Sequence, residues 1–202
     1  MNTAVTTAIQ NLGLIRIYLY DSYLPNAFTE IELEGGNTNL TGENGAGKTS
    51  TLTLIPIFYG ARPDRLIDRA ANKKSFVNYY LPHHRSMIVY EYHSPVGPCC
   101  VVLYRMPNQD THCFRFVQGS AKQTIFSEEM IAFHKEHKNC KALFEELQKS
   151  GIYTSRQIDN GLDYVAVLTN EKSRLNKDLK LRDLAITFSL CGKGYEMKHI
   201  HA

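Results

Sequence analysis

An α/β fold is what this 202-residue sequence predicts, and three observations predict it. Residues 42–49 read GENGAGKT, a glycine-rich loop with a lysine and a hydroxyl at fixed spacing. Five short β-rich runs lie around that loop, the last three too closely spaced for helices between them. From Ser127 onward the apolar residues switch from a period of two to a helical period. Together these predict a P-loop NTPase lobe with an antiparallel β-meander over residues 1–126, continued without a break by a helical part over 127–202.

Leu14 to Tyr20 (LIRIYLY) alternates and is rich in β-formers, and Ala27 to Leu33 (AFTEIEL) repeats the pattern with Phe28, Ile31 and Leu33 as core candidates. DSYLPN between them supplies the turn. Asn37 to Thr41 can enter the loop as a short strand, and Gly47 to Phe58 (GKTSTLTLIPIF) reads as a helix with Leu52, Leu54 and Ile55 toward a core. Pro56 should end or kink that helix a turn early, because proline removes a donor and clashes with the preceding turn. GARPDRLIDRAANKKSF is polar and basic, a loop with a short helix. Ser86 to Tyr92, Cys99 to Tyr104 and His112 to Val117 then read as three strands, separated by SPVGP and MPNQD.

Ser127 suits an N-cap, Glu128 and Glu129 suit a first turn, and Met130, Ile131, Phe133, Leu143, Phe144 and Leu147 mark one or two amphipathic helices closed at Ser150-Gly151. Tyr164 to Leu168 (YVAVL) reads as a short strand or a buried turn. Lys172 to Leu190 reads mostly as a basic helix with Leu175, Leu179, Leu184 and Ile186 on its apolar side.

The loop matches G-x-x-x-x-G-K-[ST], a spacing that arises by accident in only about one chain in a hundred of this length at average glycine usage. Its glycines Gly42, Gly45 and Gly47, with Glu43, Asn44 and Ala46 between them, let backbone N–H groups turn inward as an anion nest, and the helix that follows adds a positive dipole. Lys48 is the residue to reach the β- and γ-phosphates and so the catalytic candidate. Thr49 would place its hydroxyl on Mg²⁺, beside Ser50.

At 43% hydrophobic content the chain can bury a sizeable core, and it holds no run of apolar residues long enough to span a membrane. The N-terminus lacks a basic region followed by a continuous apolar one, so the expectation is a cytoplasmic protein. Cys99, Cys100, Cys113, Cys140 and Cys191 contain no C-x-x-C pair and suit reduced thiols better than disulfides or zinc. A net charge of +3 neither demands nor excludes nucleic acid.

The order strand, turn, strand, then Asn39-Leu40-Thr41-Gly42-Glu43-Asn44-Gly45-Ala46-Gly47-Lys48-Thr49-Ser50, then helix and meander resembles the N-terminal lobe of the ABC/SMC-type ATPase head. Asn-Gly inside the loop is typical of SMC, MukB and SbcC heads. Phe58-Tyr59-Gly60-Ala61 through Leu81-Pro82 and on to Ile88-Val89-Tyr90-Glu91-Tyr92 resembles the MukB-like branch, and within it the ATPase subunit of Wadjet plasmid-defence condensins, called JetC or MksF. The resemblance implies an ATPase that uses ATP and Mg²⁺ and acts on DNA through engagement of two heads in a homodimer. It further implies the chain's own C-terminal head lobe, a kleisin-type subunit and a nucleoid-associated location, with Lys172 to Leu190 as the approach to a coiled coil.

Two parts of that family's head are missing. No stretch of four apolar residues followed by an acidic pair makes a convincing Walker B strand; Met87 to Glu91 (MIVYE) is nearest, but Tyr92 and His93 follow it. No LSGGQ-like signature occurs. In SMC-like proteins both lie beyond the coil, so the chain resembles an N-terminal fragment carrying half a site.

Arg62, Arg65 and Arg69 follow the loop's helix, and Arg62 ranks first as a phosphate or DNA contact against the simpler reading of a solvated face. Gln109, Gln118 and Gln123 are rivals for the Q-loop glutamine that such heads direct at Mg²⁺ or water, with Gln118 the best placed. His83-His84, His134 with His137, and His199 with His201 lack zinc spacing and read as surface histidines. Lys73, Lys74, Arg85, Lys135, Lys138 and Lys141 supply cations for unselective DNA contact or simply solvate a face. Competing with the motor are a stand-alone P-loop kinase or GTPase, though Asn72-Lys73-Lys74-Ser75 lacks the Asp of N-K-x-D, and a nucleotide-sensing interaction module.

Overall fold

Five antiparallel strands, β1 (Leu14–Tyr20), β2 (Phe28–Glu32), β3 (Met87–Ser94), β4 (Gly97–Arg105) and β5 (His112–Gln118), form one sheet in the order β2-β1-β3-β4-β5. The computed structural model describes residues 13–22, 27–33, 52–66, 75–107 and 109–190. The five strands stand where the sequence places them, to within three residues at either end. Between β3 and β4 the turn Ser94-Pro95-Val96-Gly97 is held by the Ser94 hydroxyl, which donates to the Gly97 carbonyl at 3.1 Å; Gly97 has φ 127°, open to glycine alone.

Both faces of the sheet are covered, which explains why β3 and β4 read as nearly unbroken apolar runs instead of alternating with polar residues. Alternation instead sorts two cores. Ile17, Leu19, Ile88, Tyr90, Tyr92, Cys99, Val101, Leu103, Phe114 and Phe116 face one side, and Tyr18, Met87, Val89, Cys100, Val102, Tyr104, Cys113 and Val117 the other. The first side receives α1 (Ile55–Phe58), α3 (Phe76–Tyr80), α6 (Gly161–Thr169), α7 (Lys172–Leu175) and α8 (Leu179–Phe188). The second receives α4 (Glu128–His137) and α5 (Cys140–Lys149). A one-turn α2 (Pro63–Leu66) follows α1.

Ser127 caps α4 by accepting from the Met130 N–H, and its side chain is joined in that role by Asn139 for α5, Asn160 for α6 and Asp178 for α8. Left-handed Lys138 separates the first pair, so the apolar pattern from Met130 to Leu147 is two helices.

Four expectations need correction. Tyr164 to Leu168 is neither strand nor turn but the middle of α6, since a buried run of β-branched residues has the same composition in a strand and in a core helix. Lys172 to Leu190 is two helices, broken at Asp178, and Leu179 and Ile186 are 59% and 60% exposed while Leu181, Leu184, Ala185 and Phe188 are buried. Phe28 lies on the opposite side of β2 from Ile31, as an odd spacing requires, and meets Phe126 edge-on at 5.0 Å. The helix expected up to Phe58 breaks at Thr53-Leu54, so Leu52, expected toward a core, is exposed while Leu54 is buried, and Pro56 sits in the first turn of α1, where its missing N–H costs nothing. Four of the five cysteines are buried free thiols; Cys191 lies outside the described residues.

Candidate functional site

Gly42 to Ser50 lie outside the described residues, as do Asn37 to Thr41, Arg69, Lys73, Lys74, His199 and His201. The chain that leads into them and out again is described. The Leu33 N–H donates to the Ile15 carbonyl at 2.8 Å, so the chain leaves the sheet at the end where Leu14, Tyr92, Cys99 and Gln118 lie side by side. It returns at Leu52 and is tied down at once.

The ties are buried tyrosine hydroxyls. Tyr90 on β3 donates to the Leu54 carbonyl at 3.1 Å, at the start of α1, and Tyr164 on α6 donates to the Phe58 carbonyl at 2.6 Å, at its end. Thr53 and Tyr80 share a further hydrogen bond of 3.2 Å. A four-residue helix satisfies few of its own groups and is unstable alone, so these external donors and the burial of Leu54, Ile57 and Phe58 hold it. Burial drives both tyrosine pKa values well up, which keeps the hydroxyls protonated as donors. Beyond α1, Gly60 has φ 96°, and a Cβ there would stand 2.5 Å from a Val165 methyl carbon, so the turn admits only glycine.

Arg62 is exposed at the rim of a cavity of about 390 Å³ bounded by the α1–α2 turn, the start of β5 and the start of α6. Ile57, Phe114 and Tyr164 form its apolar wall, and His112 and Asp159 line it as well. Among the rival glutamines, Gln118 alone is in the row of residues at the sheet end from which the chain departs at Leu33. It is nevertheless on the opposite edge, four strand spacings or about 19 Å away. Gln109 lies beyond β4 at the other end of the strands, and exposed Gln123 accepts from the Ser120 hydroxyl at 3.0 Å.

Glu91, the acid of the nearest Walker B-like pattern, points to the face opposite α1. Its carboxylate accepts from the Tyr18 hydroxyl at 2.9 Å and the Ala121 N–H at 3.2 Å, and Arg16 stands 3.5 Å away. This is a structural carboxylate, satisfied inside the sheet's second core.

A second polar cluster ties the end of β1 to the segment before β3. Asp21, 1% exposed with φ 48°, accepts from Ser86 Oγ at 3.0 Å and Arg85 Nε at 2.9 Å, with His83 Nδ1 at 2.7 Å. Arg85 is therefore engaged with a buried carboxylate, contrary to its expected role among the cations for DNA. His134 is likewise no surface histidine: it is buried, with Nε2 2.9 Å from the Arg85 carbonyl. His83, His84 and His137 are exposed as expected, as are Lys135, Lys138 and Lys141. No group of three metal-ligating side chains occurs among the described residues.

Burial lowers the His134 pKa below the ordinary histidine value of 6.5, with the hydrogen bond to Arg85 opposing it. The unfolded chain then binds a proton that the folded protein refuses, so stability falls as pH drops through about 6.5, by at most about 1.4 kcal/mol per pH unit. Urea midpoints taken at about pH 7.5 and 5.5 should fall more for the unaltered protein than for His134→Gln, which keeps a donor for the carbonyl and cannot charge. Equal falls would remove His134 from this role.

Sequence reasoning passed over Tyr90, Tyr164 and Asp21, and placed His134 on the surface. Asp-Ser after a strand hinted at a left-handed turn for Asp21, but its partners lie more than sixty residues away. No local signal marks a tyrosine whose hydroxyl serves a distant carbonyl. No helix among the described residues is long and apolar enough to cross a membrane. Across nearly the whole chain, residues 18–202 match the model of a family described as a protein of unknown function (DUF3584). No curated protein and no solved structure matches the chain.

Proposed function

We propose that this chain, which belongs to the DUF3584 family, is the ATP-binding N-terminal half of an SMC-like ATPase head that acts on DNA, of the kind found in Wadjet-type condensins. The observation that carries the reading is the sequence GENGAGKT at 42–49. Its described flanks support it: β2 delivers the chain to one end of a sheet, and α1, pinned by Tyr90 and Tyr164, receives it on the sheet's face. A loop that must hold a triphosphate needs an immobile base, and the Tyr90 and Tyr164 hydroxyls with buried Leu54, Ile57 and Phe58 supply one.

Backbone N–H groups of Gly42 to Gly47 would hold the phosphates, Lys48 would neutralise the β- and γ-phosphates, and Thr49 would offer its hydroxyl to Mg²⁺. ATP, when bound, would supply a γ-phosphate whose enclosure between two heads would engage them and whose hydrolysis would release them. With Glu91 bound on the far face, the carboxylate for Mg²⁺ and water falls to a C-terminal lobe. A second copy of the head, a kleisin-type subunit and DNA complete the proposed assembly. Arg62 and Gln118 remain proposals for phosphate or DNA contact and for the Q-loop.

Titration calorimetry with ATP and Mg²⁺ tests the reading. Lys48→Ala should weaken binding by at least about a hundredfold, since it removes the one charge aimed at the phosphates. Unchanged affinity would place the nucleotide elsewhere.

A further inference from the structure

The cavity beside Arg62 has a chemistry that the nucleotide reading leaves unused. It lies at the end of the sheet where β5 begins at His112, whereas the chain departs at Leu33 from the end that holds Gln118. Six residue steps of β5 separate those ends, about 20 Å.

Its floor is apolar and largely aromatic. Ile57, Phe114 and Tyr164 are buried, the two rings lie face to face with centroids 4.2 Å apart, and the Tyr164 hydroxyl is committed to the Phe58 carbonyl. Half-buried His112 stands edge-on to Phe114 at 5.4 Å and extends the wall. The lining also holds two exposed side chains of opposite charge from different parts of the chain: Arg62 in the α1–α2 turn, and Asp159 two residues before α6. They do not pair with each other. Asp159 accepts from Gln157 Nε2 at 2.7 Å, and no ion pair engages Arg62 among the described residues. The volume of about 390 Å³ is near the lower end of the range of about 300 to 1,000 Å³ that holds small molecules, so it suits one compact ligand.

We propose that this cavity binds a free α-amino acid with an aromatic side chain, its ring on the floor of Ile57, Phe114 and Tyr164, its carboxylate on Arg62 and its ammonium on Asp159. A simple anion attracted to Arg62 would meet the Asp159 carboxylate, and a simple cation attracted to Asp159 would meet the Arg62 guanidinium. A ligand that carries both charges offsets both. The planar guanidinium suits two-point contact with a carboxylate, and an aromatic ring gains from offset or edge-on contact with Phe114, Tyr164 and His112 beyond the area it buries.

Titration calorimetry on the 202-residue chain compares phenylalanine with phenylpropionate, which lacks the ammonium, phenethylamine, which lacks the carboxylate, and alanine, which lacks the ring. Phenylalanine should bind at least about tenfold more tightly than each of the three. Arg62→Gln should weaken phenylalanine about tenfold, to the level of phenethylamine, and Asp159→Asn should weaken it about tenfold, to the level of phenylpropionate. Both positions are exposed and Asn keeps an acceptor for Gln157, so thermal unfolding without ligand should not move. The proposal is overturned by phenylalanine that binds no better than its acid, its amine or alanine, that fails to bind, or that binds both variants as it binds the unaltered chain. Tighter binding of inorganic phosphate, the competing partner for Arg62, overturns it as well. Lys48→Ala should take up phenylalanine undiminished whether or not ATP binding is lost, which keeps this outcome separate from the nucleotide reading; joint loss of both ligands in that variant would place phenylalanine elsewhere and sink the assignment.

Discussion

Incubated with ATP and Mg²⁺, residues 1–202 alone will release phosphate at close to the uncatalysed rate. Phosphoryl transfer is catalysed almost entirely by positioning and by stabilising charge on the transferring group, so half of a site has little to offer. On the proposed reading Lys48 and Thr49 would hold phosphate and metal, and the sequence offers no Walker B acid pair to activate water. Glu91, the best sequence candidate, is turned away from α1 and saturated by Tyr18, Ala121 and Arg16. Freeing it would strip three partners from a buried carboxylate, a change that costs more than it could return. Adding a separately expressed C-terminal lobe should restore turnover, with activity rising more steeply than linearly in protein concentration as two composite heads meet around two nucleotides. A complete head should exceed the background by at least about a millionfold. A phosphate-release assay decides the matter: robust turnover by residues 1–202, lost in Lys48→Ala, moves the weight to a self-contained kinase or GTPase.

Asp21→Ala should cost about 3 to 5 kcal/mol of stability. Removal of this carboxylate leaves Arg85, whose side chain is 22% exposed, without its 2.9 Å partner, and takes the acceptor from His83 Nδ1. The main-chain conformation adds to the loss. At φ 48° an alanine sits in the left-handed region, which costs about 1 kcal/mol more than in an ordinary one, and which Asp and Asn tolerate better. Asp21→Asn should therefore lose roughly half as much, because it keeps the turn and one acceptor. Urea unfolding followed by circular dichroism measures all of this. A loss below about 1 kcal/mol for Asp21→Ala would mean that the cluster is solvated well enough to do without its anion.

Local chemistry made much of the fold legible. β1 shows alternation between two cores, β3 and β4 carry the dense β-branched and aromatic runs of a sheet buried on both sides, and Ser127 with Glu128 and Glu129 announces a helix start that the structure bears out. What failed was arbitration between periods. YVAVL looks like a strand until Asn160 and Asn170 are read as cap and left-handed stop, nine residues of helix apart. Asp178 likewise carried a readable cap signal inside what seemed one basic helix. The supports of the candidate site were not legible at all, since Tyr90 and Tyr164 act on residues 36 and 106 positions away. By contrast, the loop at 42–49 is a wholly local pattern, and the sequence states it in full.

The tyrosine ties have a consequence for how the molecule opens. Tyr90 belongs to a central strand, Tyr164 to a packed helix, and Tyr92 adds a hydrogen bond of 2.6 Å from the same central strand to the Phe188 carbonyl at the end of α8. A segment bound in this way cannot fray by itself; it exchanges its amides only when the centre of the sheet does. Were a nucleotide held at 42–49, its exit would therefore owe nothing to fraying of α1, the helix at which the described chain resumes.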